Sequence, residues 1–139
     1  MITTELVIVL PVLVAFLFLL VLAGRLTDAR SDVVGAANDA ARAASLQRNQ
    51  TAAQSQAQAA ARATVDDERL NCTGTGPTVD VATVRSGTEN EAAAFGRGAD
   101  VRVTVTCVVD TRDLAFIGVG TTVTLTEVAW EPIDPYRSL

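Results

Sequence analysis

The chain contains no histidine and no lysine: its 11 basic residues are all arginine, scattered singly, against 16 acidic ones, for a formal net charge of −5. Binding to a nucleic-acid backbone calls for a basic stripe, so this pattern argues against nucleic acid as a partner. With histidine missing, no nucleophile–base pair, phosphate loop or metal-ligand cluster emerges from the spacing. No catalytic residue, metal or cofactor is therefore expected. Proline is absent between Pro11 and Pro77, so a helix can run through that interval without meeting its strongest breaker. No Lys or Arg stands ahead of Leu6, and cysteine occurs only twice, at Cys72 and Cys107.

What is present is an apolar run, Leu6 to Gly24, with Glu5 at its edge. At 139 residues the chain has room for one membrane-embedded segment and one small domain. The run is about the length that crosses a hydrocarbon core of roughly 30 Å as a helix. It is too long for the apolar region of a cleavable signal peptide, and no small-residue cleavage site follows it, so it is expected to be retained. A carboxylate at the edge of such a span is costly unless paired, and the nearest cation available in a bilayer is an α-amino group, its own chain's or a neighbour's. An interfacial glutamate solvated by headgroups is the plainer alternative.

Topology poses a conflict. Arg25 and Arg30 follow the span closely and nothing basic precedes it, which by the positive-inside rule places the C-terminal part in the cytoplasm. The paired cysteines instead fit one disulfide in an oxidising compartment. The two agree if Met1 is the residue left after removal of a basic leader, and that is the expectation. The alternative is an inward-facing protein with two free thiols.

Beyond the span the sequence becomes dense in Ala, Gln and Arg, all strong helix formers. One continuous helix is expected from about Ile2 to about Ala63, on the order of 90 Å long. Its small residues, Gly35, Ala36, Ala37, Ala40, Ala41, Ala43 and Ala44, then Ala52, Ala53, Ala57, Ala59, Ala60 and Ala61, permit close approach to a packing partner. Asp28, Asp32 and Asp39 stand at near-helical spacing from Arg25, Arg30 and Arg42, as for surface ion pairs. Pro11, inside the span, removes one helical hydrogen bond and bends or loosens the helix, as a harmless kink or a functional one.

After a turn-rich connection (65–77) the period changes to alternation, with strands expected at Thr78–Arg85, Ala99–Val109 and Thr121–Trp130. Val101, Val103, Val105, Cys107 and Val109 share one face, and Val123, Leu125 and Ala129 extend it. The expected fold is α+β: a long N-terminal helix packed on a small antiparallel three-stranded sheet, with 1–25 as the apolar half of the helix, 26–64 as its exposed half, and 65–139 as the β domain. A Cys72–Cys107 bridge would staple the helix end to the central strand. Asp66, Asp67 and Glu68 lack the alternating ligand spacing of a calcium loop. Asn49 and Asn71 head chance-level glycosylation patterns, the first expected within a helix. Leu114, Phe116, Ile117 and Val119 form an apolar loop that caps the core, contacts another subunit or touches a membrane.

The opening Met1-Ile-Thr-Thr-Glu5, the proline at position 11 and the Gly24-Arg25 pair resemble the start of TadE-like pilin proteins of tight-adherence systems, especially actinobacterial ones. The small-residue stretch Ala36–Ser45, the Asp113–Gly120 segment and the Pro132–Arg137 tail are similar to that group as well; the Ser86–Gly98 loop is not. The resemblance implies a structural subunit, a minor pilin or pseudopilin, of a type IV-type filament, in which Met1 is the processed terminus and Glu5 pairs with the amine of a neighbouring subunit. It implies as partners other copies or related pilins, the cytoplasmic membrane before assembly, a prepilin peptidase and the assembly machinery. The C-terminal domain would lie outside the membrane and later in a cell-surface filament. A major filament subunit, and a single-pass anchored binding module that never polymerises, are the alternatives.

Overall fold

The computed structural model describes residues 2–110 and 122–136, with side chains from residue 9 onward. It contains two helices, α1 (Ile2–Ser45) and α2 (Gln50–Asp67), followed by three strands, β1 (Thr78–Arg85), β2 (Ala99–Asp110) and β3 (Thr122–Pro132). The strand boundaries fall within two residues of those read from the alternation. The chain divides into two compact units, Met1–Ser31 and Asp32–Leu139. The apolar loop expected around Leu114–Val119 lies outside the described residues.

The first unit is a helical segment whose large apolar side chains from Val9 to Val21 are 41–66% exposed. Leu, Val and Phe occupy every face of it, the pattern of a helix made for lipid or for other helices rather than for water.

The second unit has a conventional core. The α1 residues Val33, Ala36, Ala37, Ala40, Ala41 and Ala44 form one buried stripe at helical spacing, and Ala53, Ala57, Ala61 and Val65 of α2 form another. These side chains share one cluster with Val79 and Val81 of β1, the β2 row Val101, Val103, Val105 and Cys107, and Ala129 of β3. Alanine at so many of these positions lets the helices lie close to one another and to the sheet. The Thr64 hydroxyl donates to the Asp39 carboxylate at 2.8 Å, joining α2 to α1. Arg42 approaches Glu131 of β3 at 4.0 Å, an exposed contact of small energetic weight.

The single helix to Ala63 is a correction: the chain turns between Ser45 and Gln50. Asn49 adopts extended backbone angles (φ −150°, ψ 161°), and its side-chain oxygen accepts from the Ala52 amide at 2.8 Å, a helix N-cap that starts α2 afresh. Asn49 therefore stands before a helix and not within one. The turn lets both alanine stripes enter one core, burial that a straight extension into water would forgo.

The end of α2 is equally specific. The Leu70 amide donates to the Val65 carbonyl at 3.0 Å and the Arg69 amide to the Asp66 carbonyl at 3.2 Å, the paired bonds of a Schellman cap. Arg69 holds the left-handed position at φ 56°, where glycine is the usual residue. Leu70 then packs on the core.

The sheet has the order β1-β2-β3 and is antiparallel throughout. In register, Val103 faces Val81 on one side and Ala129 on the other, and Cys107 faces Leu125. The apolar face thus runs across all three strands as expected, although Glu127 and Glu131 also stand on it, opposite Val105 and Val101. The other face is rich in threonine, with Thr78, Thr106 and Thr126 in one cross-strand row. Arg102 lies over the Trp130 ring at 5.7 Å to its centroid and donates to Asn90 at 3.2 Å, securing the loop between β1 and β2.

Replacing Arg69 with glycine removes the cost of a left-handed L-residue without touching the cap's hydrogen bonds. The Arg69→Gly variant should gain about 1 kcal/mol, read as a melting temperature several degrees higher; an unchanged or lower value would contradict the strain assigned to this position.

Candidate functional site

Five residues were singled out by the sequence: Met1, Glu5 and Pro11 for assembly, and Cys72 and Cys107 for a disulfide. Glu5 lies within α1, one helical turn into the chain, and Pro11 is inside the same helix. Met1 and the Glu5 side chain lie outside what the structure describes, so the pairing expected of them has no geometry here. Pro11 has no amide proton to donate to the carbonyl four residues earlier, and α1 continues through it.

Around Pro11 the helix is uniformly apolar. The segment Val9–Ser45 is long and apolar enough to cross a membrane, with a mean hydropathy of 2.6 in its most apolar stretch and none of that stretch buried within the protein. Val12, the most exposed of these side chains at 66%, sits beside the proline. Such a surface can exchange lipid for the apolar faces of other helices at little cost, because both are equally dry.

At the other end of the chain Cys72 and Cys107 are joined, with a Cα–Cα distance of 5.3 Å, and no free cysteine remains. Cys107 is fully buried on the apolar face of β2. Cys72 follows the Schellman cap of α2 and forms an isolated antiparallel bridge with Val109. Thr73 reinforces it, since its amide and its hydroxyl both donate to the Val108 carbonyl, at 2.6 and 3.0 Å. The bridge therefore ties the end of α2 to the central strand, as its sequence positions suggested, and Thr73 is the contributor that alternation and composition did not reveal.

Among the described residues, no three His, Cys, Asp or Glu side chains are placed to share a metal ion. Asp66 and Asp67 close the last turn of α2 and Glu68 caps it, all three exposed. Acidic groups there face the unfavourable end of the helix dipole, which solvent screening makes tolerable.

Comparison with protein families bears on the apolar end. A family model described as TadE-like protein matches residues 1–42. The N-terminal segment is similar to TadE-like proteins. The match takes in Glu5, Pro11 and Gly24-Arg25, and stops three residues before the end of α1. Comparison with curated proteins and with solved structures finds no match. The TadE-like segment thus includes the whole first unit and the start of the second, while α2, the sheet and the disulfide lie beyond it. It contains most of the one helix, among the described residues, that is long and apolar enough to cross a membrane.

For a loop of this length, loss of the cross-link costs about 4 kcal/mol in the chain-entropy picture. The double variant Cys72→Ala/Cys107→Ala should melt well below the parent, and the native pair should resist alkylation until a reductant is added. Ready labelling of the unreduced protein would contradict the staple.

Proposed function

We propose that the chain is a structural subunit, a minor pilin or pseudopilin, of a type IV-type Tad pilus. The observation that carries this reading is the position of Glu5 within a TadE-like apolar helix. It is supported by a second unit that folds around its own core, leaving the apolar helix available for assembly.

Before assembly the helix would sit in the cytoplasmic membrane as a single span, with the disulfide-linked unit outside, where an oxidising environment keeps Cys72 and Cys107 joined. During assembly it would leave lipid for a bundle of like helices. A carboxylate buried in that bundle without a partner costs several kcal/mol. An α-amino group supplied by Met1 of an adjacent copy, or by a related pilin, removes the penalty at one axial offset only. Glu5 would then act as a register mark. Pro11 would give the helix the local freedom to bend as it changes surroundings. The proposed role is architectural, with no reaction assigned to any residue.

A second reading, a single-pass anchored module that never polymerises, is favoured by the end of the family match at residue 42, which leaves most of the second unit unaccounted for by it. The two readings diverge at Glu5. In the Glu5→Ala variant the pilin reading expects normal membrane insertion but at least ten-fold less of the protein recovered in sheared filaments, measured by quantitative immunoblotting of membrane and surface fractions. Undiminished incorporation would defeat the register role, and absence of the parent protein from filaments would favour the anchored module.

A further inference from the structure

β1 is an edge strand, and an edge strand presents a row of backbone groups able to recruit a strand from another molecule. In this protein the outward carbonyls of that row are occupied, and largely by side chains. Gln50, Gln54 and Gln58 stand at successive four-residue steps on α2. Their amide nitrogens donate to the carbonyls of Val81, Val79 and Pro77, each at 2.7 Å. The carbonyl oxygen of Gln54 also accepts from the Val81 amide at 3.0 Å, and that of Gln50 accepts from the Thr83 hydroxyl at 2.6 Å. Gln54 thus engages one carbonyl and one amide of the strand, the pair of contacts that a residue in a neighbouring strand would make.

The spacing explains why a helix can do this. Four residues of helix rise about 6.0 Å, and two residues of strand about 6.7 Å, so consecutive glutamines meet consecutive outward carbonyls with a mismatch that a flexible side chain absorbs. Glutamine is also the neutral side chain that carries both a donor and an acceptor at that reach. Where the glutamines end, the loop takes over: the Ala93 amide donates to the Thr83 carbonyl at 3.0 Å, and the Arg85 amide to the Glu91 carbonyl at 2.8 Å. From Pro77 to Arg85 every outward carbonyl is engaged by one device or the other, as are the amides of Val81 and Arg85. Helix propensity alone does not account for this, because Gln56 of the same helix is exposed.

We propose that Gln50, Gln54 and Gln58 make α2 a surrogate fourth strand, whose role is to close the β1 edge against strand addition by a second copy of this chain. Copies held in one membrane meet at high local concentration, which is where an open edge is most hazardous. With the row in place, contact between copies is left to other surfaces. Charge is not the deterrent, since the three guarding side chains are neutral and work by occupying the hydrogen-bonding groups themselves.

The test uses the full chain in detergent micelles. In Gln54→Leu, which keeps helix propensity and bulk, hydrogen exchange of the Val81 amide should be at least ten-fold faster than in the parent, with the β2 amides unchanged. In the triple variant Gln50→Ala/Gln54→Ala/Gln58→Ala, the mean number of protomers per micelle should rise above the parent's, measured by light scattering. Gln50→Lys/Gln54→Lys/Gln58→Lys retains donors to the carbonyls and adds charge, and should keep the parent's value. An unchanged Val81 exchange rate in Gln54→Leu would overturn the proposal, as would a triple alanine variant that stays folded and no more associated than the parent. If the triple variant does not fold, the Val81 exchange rate in Gln54→Leu decides.

Discussion

An apolar helical segment that stays exposed within its own chain is the constraint on which everything else depends. From Val9 to Val21 the large side chains of α1 remain about half accessible. Completing their burial is worth on the order of 10 kcal/mol, a gain that water cannot provide. The segment therefore belongs in lipid or against other helices, and every functional reading must give it such a place. A carboxylate at its edge turns that general need into a specific one, because lipid and apolar side chains satisfy the helix but not the charge.

The second unit answers a different problem, that of folding a small core with little aromatic surface. Alanine stripes bring two helices and a sheet close together, so that many small contacts replace a few large ones. Three features then fix ends that small contacts would leave loose. Asn49 starts α2, the cap at Arg69 ends it, and the Cys72–Cys107 bridge anchors that end to β2. The glutamine row performs the same service along the length of α2, fixing its register on β1. Stability here comes from specified boundaries more than from bulk.

Much of this was legible in the residues. Alternating Val and Thr identify all three strands and the inward face of β2, and two cysteines at a helix end and on that face suggest their pairing. The break between α1 and α2 was hidden because no glycine or proline marks it. Asn49 carries the signal, but an asparagine among strong helix formers reads as tolerable until the tertiary gain of folding α2 back is known. The glutamine row was invisible for a related reason: glutamine is common in exposed helices, and only the position of β1 shows where these side chains reach. Arg69 at a left-handed position ran against residue preference, so the cap could not be inferred from its usual glycine. Met1, Glu5 and Pro11, the residues proposed for assembly, drew attention because a polar group beside an apolar span demands an explanation and because their pattern resembles TadE-like proteins; the family match falls on that same stretch.

The central claim is that the apolar helix passes from lipid into contact with other subunits. A photo-crosslinking amino acid at position 13, activated in cells that are producing pili, tests this most directly. The account predicts covalent adducts between this chain and another pilin subunit, identified by mass spectrometry, beside the lipid adducts of the unassembled pool. Lipid adducts alone, with filaments present, would contradict it.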